Sequence, residues 1–100
     1  MGNQWSFPDS PDCAVFSTLG VVNDKHPILL VTHDSEDGAW QFLDSFSPPL
    51  DDAVVVGLEE IVELDRSLIE LADLPLGWQA SRSSSAFPWV RAKAGLPPKE

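Results

Sequence analysis

One stretch with a helical period, residues 59–74, lies among short runs of strand-like composition, and this arrangement constrains the fold most. Its apolar residues recur every three or four positions and form a stripe along one side of a helix. They are Ile61, Leu64, Leu68 and Leu71. The pattern can break near Asp65 or Ser67, each of which is able to cap a new helix start. We therefore predict one long helix or two short helices, ending before Pro75.

Six runs rich in β-branched and apolar residues surround this segment and are typical of strands. They are residues 14–22, 28–32, 39–43, 53–58, 78–83 and 87–91. Because strands outnumber helices, and the helical segment follows the fourth strand, the sequence predicts an α+β fold. We expect a mostly antiparallel sheet of five to six strands with the helical segment packed on one face. Residues 1–12 are predicted to form a flexible N-terminal arm, residues 13–93 one domain, and residues 94–100 a frayed tail.

The loop HDSEDG, residues 33–38, has two interpretations. Asp37, Ser35 and His33 occupy positions 5, 3 and 1 before a glycine at position 6, as the oxygen ligands of a calcium loop would. Position 12 is Asp44, where a bidentate glutamate belongs, and the loop joins strands instead of helices. A solvated hairpin tip, with Gly38 at positive φ, is the favoured interpretation. The sequence therefore predicts no metal site.

The remaining reactive side chains lack the spacing of an active site. His26 is expected in a turn beside Pro27, and His33 at a strand end facing water. Cys13 precedes an apolar strand and is expected to be half-buried. A small hydrolase that uses His33 and neighbouring carboxylates is the enzymatic alternative, but its constellation is incomplete. We predict that the protein is not an enzyme and binds no cofactor.

Charge is the strongest signal in the composition. The formal net charge is -10, and between residues 34 and 73 twelve acids stand against one base, Arg66. Such a field repels nucleic acid and anionic membranes and speeds association with a basic protein. The alternative is that the acidity only keeps the protein in solution.

Aromatic and basic residues near the acids could anchor a partner. Tryptophan and arginine are enriched at interface hot spots, although tryptophans in a small sheet domain also fill cores. The predicted partner-binding residues are Asp34, Glu36, Asp37, Trp40, Asp51, Asp52, Trp78, Arg82 and Trp89. We expect the exposed members of this set to bind a protein, with no nucleic acid and no membrane as partner.

The N-terminal segment and the cysteine content indicate a cytoplasmic protein. The N-terminal residues show no positively charged region followed by an apolar stretch, so we expect no secretory signal. Met1-Gly2 with Ser6 fits the loose myristoylation pattern, but no second anchor accompanies it. A single cysteine, Cys13, allows no internal disulfide and suits a reducing compartment.

Three segments together resemble a family of small uncharacterised bacterial domains with a "GW-x-FL … L-x-x-x-P-x-G … R" pattern. The matching residues are DGAWQFL at 37–43, VVVGL at 54–58 and LADLPLGW at 71–78, followed by Arg82 and Pro88-Trp89. Members of this family are grouped, by gene neighbourhood, with immunity proteins that neutralise polymorphic toxins. The resemblance implies a cytosolic protein that sequesters a partner, expected to be a basic toxin domain, and it implies no catalytic residue.

The resemblance is incomplete after Leu43. Relatives tend to have a glycine-containing turn where this chain has Asp-Ser-Phe-Ser at residues 44–47. The alternative to an immunity protein is a regulatory or housekeeping domain that has no toxin partner.

Overall fold

Six strands and four short helices occupy the part of the chain that the computed structural model describes, residues 5–46 and 50–93. The strands are β1 Ala14–Thr18, β2 Leu30–His33, β3 Trp40–Leu43, β4 Ala53–Gly57, β5 Trp78–Ser81 and β6 Val90–Lys93. The α-helices are α1 Leu19–Asp24 and α2 Leu58–Leu64. The 3-10 helices are η1 Leu50–Asp52 and η2 Arg66–Leu71. None of the described helices is long and apolar enough to cross a membrane.

The strands form one sheet in the order β4-β1-β3-β2-β5-β6. The β1–β3 pair is parallel, and the other four pairs are antiparallel. The predicted hairpin is confirmed: β2 and β3 pair directly, and Gly38 turns the chain with φ 73°. The predicted α+β fold, a mostly antiparallel sheet with short helices, is likewise confirmed.

The first predicted strand, residues 14–22, is correct only up to Thr18, where α1 begins. Thr18 has extended backbone, and its Oγ1 accepts a hydrogen bond from the Val21 N–H at 3.2 Å, the geometry of an N-cap. Lys25 then takes φ 58° and ends the helix. A short apolar run does not by itself distinguish a strand from a helix, and here the cap decides.

The helical segment predicted over 59–74 is two helices, broken at Asp65. This residue has extended backbone, and its Oδ1 accepts hydrogen bonds from the N–H and the hydroxyl of Ser67, at 3.0 and 2.7 Å. Asp65 therefore caps η2, and Ser67 is not the cap. Leu68 and Leu71 of η2 are buried in the core cluster.

The core lies between one face of the sheet and the helices α2 and η2, with Trp40 fully buried near its centre. Phe7 lies in the predicted arm, yet only 4% of its surface is exposed, and its ring meets Trp40 edge-on with centroids 5.3 Å apart. The Trp40 Nε1–H also donates to Asp9 Oδ2 at 3.1 Å. The described part of the arm, residues 5–12, therefore adds to the core. Residues 1–4 and the predicted tail, 94–100, lie outside the described residues.

Candidate protein-binding surface

His33, the histidine of the enzymatic alternative, is buried, which contradicts the expectation that it faces water. Its ring stacks on Trp40 with centroids 3.9 Å apart and planes 16° from parallel. Its Nδ1 lies 2.8 Å from the Leu74 carbonyl oxygen, and because a carbonyl only accepts, Nδ1 carries the proton and donates. His33 thus ties the segment after η2 to the sheet, while Asp34 lies on the exposed turn beyond it.

Cys13 is half-buried, as expected, and it lies beside Asp9. Its Sγ is 3.8 Å from Asp9 Oδ2. Burial raises the pKa of the Cys13 thiol above its ordinary value, and the carboxylates of Asp9 and Asp12 raise it further. The thiol is therefore held protonated at neutral pH, the less nucleophilic form.

His26 is exposed in the turn after α1 and pairs with Asp44, with Nδ1 and Oδ2 2.9 Å apart. The pair closes over Gly20, where an added Cβ would collide with both side chains. This glycine therefore permits a contact between the α1 turn and the end of β3. Within residues 5–46 and 50–93, no three His, Cys, Asp or Glu side chains come together in a group that could hold a metal ion.

Arg82, predicted to contact a partner, is instead the centre of a buried polar network. Its side chain is 3% exposed, and its Nη2 donates to Asp65 Oδ2 at 2.6 Å. Its Nε donates to the Ile28 carbonyl at 2.9 Å, and its Nη1 donates to Ser67 Oγ at 3.2 Å. The guanidinium lies 4.0 Å from the centroid of the Trp89 ring, a cation–π contact. Arg82 therefore joins the end of β5 to the start of η2, and the donors of its guanidinium are engaged within the protein.

The predicted tryptophan anchors pack on the core side of the sheet. Trp40 has no exposed surface and belongs to the core, so it cannot be a surface contact. Trp78 and Trp89 are half-buried against the core cluster. The Nε1–H of Trp89 donates to Ser67 Oγ at 3.2 Å, which places it in the Arg82 network. Of the aromatic and arginine set, only Trp78 and Trp89 retain substantial exposed surface.

The five predicted acidic contacts lie at opposite ends of the sheet. Asp34, Glu36 and Asp37 are exposed in the turn just before β3 begins. Asp51 and Asp52 lie in η1, just before β4, which runs antiparallel to β1 and therefore starts beside the end of β3. Strands of four or five residues separate the two groups by roughly 13 to 16 Å. The acids thus form two acidic ends instead of one patch.

Between these ends lies the face of the sheet that the helices do not cover, which we call the open face. The pairing register places Phe16, Gln41 and Val55 on it, followed by Thr32 and Gln79. Its exposed residues are Ala14, Phe16, Gln41, Ala53, Val55, Val90 and Ala92. No charged residue of the described strands lies on this face. Phe16, Val55 and Val90 are 42%, 62% and 63% exposed.

An apolar cleft of about 540 Å³ adjoins the open face near the end of β5. Exposed Phe46, Phe87 and Val90 line it together with Leu29 and Pro88, and the polar residues Ser81, Arg82 and Ser83 complete the lining. Neither these residues nor Phe16 and Val55 are among the partner-binding residues predicted from the sequence. β1 and β4 contain no Asp, Glu, Lys or Arg, but neither do β2, β3 and β5, so composition alone did not indicate which apolar side chains would be exposed.

Comparison with known proteins identified no relative of this chain. The chain matches no protein-family model, and no curated protein or solved structure is significantly similar to it. The resemblance to the immunity-protein family therefore stays a prediction.

Proposed function

We propose that this protein is a non-catalytic protein-binding domain of the immunity type that binds a basic partner on its open face. The observation that carries the proposal is the uncharged open face lying between two acidic ends. An apolar centre with a charged rim is the usual anatomy of a protein interface. The proposed partner class, a basic toxin domain, follows from the acidic rim and from the family resemblance.

Two groups of residues have different roles in the proposed interface. The acidic ends, Asp34 to Asp37 and Asp51 with Asp52, attract a basic protein and speed the encounter. Burial of Phe16 and Val55 then slows dissociation, because apolar surface is removed from water. The proposal therefore replaces the anchors predicted from the sequence, Trp40 and Arg82, with residues on the opposite face of the sheet.

The test uses the domain as bait in cells of its source, with washes at low and then high salt. Two matched variants introduce the same charge at exposed apolar positions: Phe16→Lys on the open face, and Ile69→Lys, 38% exposed, in η2 on the covered side of the sheet. We expect one stoichiometric basic protein to bind the wild type and Ile69→Lys, to be lost with Phe16→Lys, and to be released by salt.

Equal capture by both variants would contradict the proposal. An empty bait, recovered from cells that express the neighbouring genes, would favour a regulatory or housekeeping domain without a toxin partner. Thermal unfolding of each variant serves as the control that the substitution has not simply unfolded the domain.

A further inference from the structure

The two edge strands of the described sheet, β4 and β6, differ in charge. β6 carries Arg91 and Lys93, and charges of this kind commonly protect an edge from pairing with another strand. β4, at the other edge, reads Ala-Val-Val-Val-Gly over residues 53–57 and carries no charge. Among the strands that the structure describes it pairs only with β1, so alternate backbone N–H and C=O groups point away from that partner.

Both sides of the β4 edge offer apolar contacts to an added strand. On the helix side, a cavity of about 250 Å³ lies beside Val56 and is lined by Val22, Ile61, Leu64 and Glu60. On the open face, exposed Val55 lies opposite exposed Phe16. Since the side chains of a strand alternate between its two sides, an added strand would place one set in the cavity and the other beside Val55.

Acidic residues bracket β4 at both ends. Asp51 and Asp52 precede it in η1, and Glu59 and Glu60 follow it in the first turn of α2. Glu60 also accepts a hydrogen bond from the Gly57 N–H at 3.1 Å, which fixes its carboxylate near the end of the strand. A strand with lysine or arginine at both ends would therefore meet opposite charges at both ends of β4.

The same charges disfavour a second copy of this chain as the occupant. Antiparallel pairing of β4 with itself, centred on Val55, would place Asp51 opposite Glu59 of the second copy. Asp52 and Glu60 of the two copies would also be brought close at each end of the pair. Like charges opposite one another destabilise a strand pair, so the edge suits a basic partner better than its own copy.

We propose that the β4 edge binds an extended segment of the partner, with apolar β-branched side chains in the middle and lysine or arginine at both ends. In this mode backbone hydrogen bonds extend the sheet, and side-chain pockets select the sequence. The inference rests on the proposed function, to which it adds that the basic partner contributes a seventh strand.

The test uses a synthetic nine-residue peptide with blocked ends, in which two lysines flank Val-Thr-Val-Thr-Val on each side. We expect it to bind the wild-type protein and to slow amide hydrogen exchange in β4. Val55→Lys should weaken binding by about tenfold or more, since charge on an edge strand opposes pairing. The matched control is Val90→Lys, of nearly equal exposure on the same face at the other edge, which should change the affinity by no more than about twofold.

Two further peptides keep the result independent of how Val55→Lys folds. A peptide methylated on alternate backbone nitrogens cannot complete the ladder and should not bind. A peptide with glutamates in place of the lysines should not bind either, because it meets the acids around β4.

Failure of the lysine peptide to bind, equal weakening by Val55→Lys and Val90→Lys, or unchanged binding of the methylated peptide would overturn the proposal. So would sedimentation of the protein alone as a dimer that Val55→Lys dissociates, because the occupant would then be a second copy. If a basic partner is still captured and is still lost with Phe16→Lys, only the strand addition fails. If that capture fails as well, the proposed function fails with it.

Discussion

The two faces of the sheet come from the same strands and differ in nearly every physical respect. In β3, Trp40 is fully buried against Phe7 and His33, and its neighbour Gln41 is exposed on the open face. In β1, Val15 is buried, and its neighbour Phe16 is exposed. One step along a strand therefore moves a side chain from the stabilising face to the face available for binding. Substitutions at neighbouring positions should separate the two roles.

The largest expected effect is on the free energy of unfolding. It concerns Trp40 on the core face, whose ring contacts Phe7 of the N-terminal segment. Trp40→Ala should lower the free energy of unfolding by about 4 kcal/mol, because it removes the largest fully buried side chain and leaves a cavity. Urea unfolding measures this loss. Gln41→Ala, one residue along on the open face, should change stability by no more than about 0.5 kcal/mol. Equal losses of unfolding free energy in Trp40→Ala and Gln41→Ala would contradict the proposed difference between the two faces.

The second effect concerns Arg82, which the sequence analysis assigned to the binding surface. Arg82→Met should destabilise the fold by about 3 kcal/mol, because the Asp65 carboxylate loses its partner inside the network. Arg66→Met removes a guanidinium that is 68% exposed, and it should cost about 0.5 kcal/mol or less. Chemical denaturation of the two variants measures both values. A small loss for Arg82→Met would mean that the network contributes little to the fold.

The smallest effect concerns Asp73, which pairs with Arg91 at the exposed margin of β6, with Oδ1 and Nη2 2.6 Å apart. The hydrogen bond and charge of Arg91 lower the pKa of Asp73 below its ordinary value. The contribution of this pair to stability is therefore present above the unfolded-state pKa of about 3.9 and is lost as pH falls through the lower folded-state pKa.

An NMR titration of the Asp73 carboxyl carbon measures this shift directly. We expect a midpoint below that of the unfolded chain in the wild type and a return toward the ordinary value in Arg91→Met. An unchanged midpoint in Arg91→Met would show that Arg91 is not the cause. Arg91 is also one of the two charged residues of the edge strand β6, whereas the edge strand β4 has none.

Local patterns predicted the elements whose signals are local. The helical period over residues 59–74, the capping chemistry of Asp65 and the hairpin turn at Gly38 all depend on residues close together in the chain. The end of the first strand was wrong because Thr18 can either continue a strand or cap a helix, and the apolar residues after it fit both structures.

The candidate site was predicted only in part. The acids were expected at the surface, and Asp34, Glu36, Asp37 and Asp51 are exposed. Their separation into two ends depends on β1 pairing in parallel with β3, a long-range choice that no local pattern records. Arg82 and Trp89 were expected to bind a partner, but distant Ser67 and Asp65 supply their hydrogen bonds inside the protein.

The sequence by itself determined the helical period of residues 59–74, most of the strands and the strong negative charge, because short-range periodicity and ionisable groups act locally. Only the tertiary structure decided which side chains face solvent. His33 and Phe7 became core because both contact Trp40, which is distant from Phe7 in the chain. Phe16 and Val55 became surface because the helices after β4 pack on the opposite face of the sheet. A two-layer domain covers only one face of its sheet, so burial of an apolar residue depends on how the layers pack as well as on its hydrophobicity.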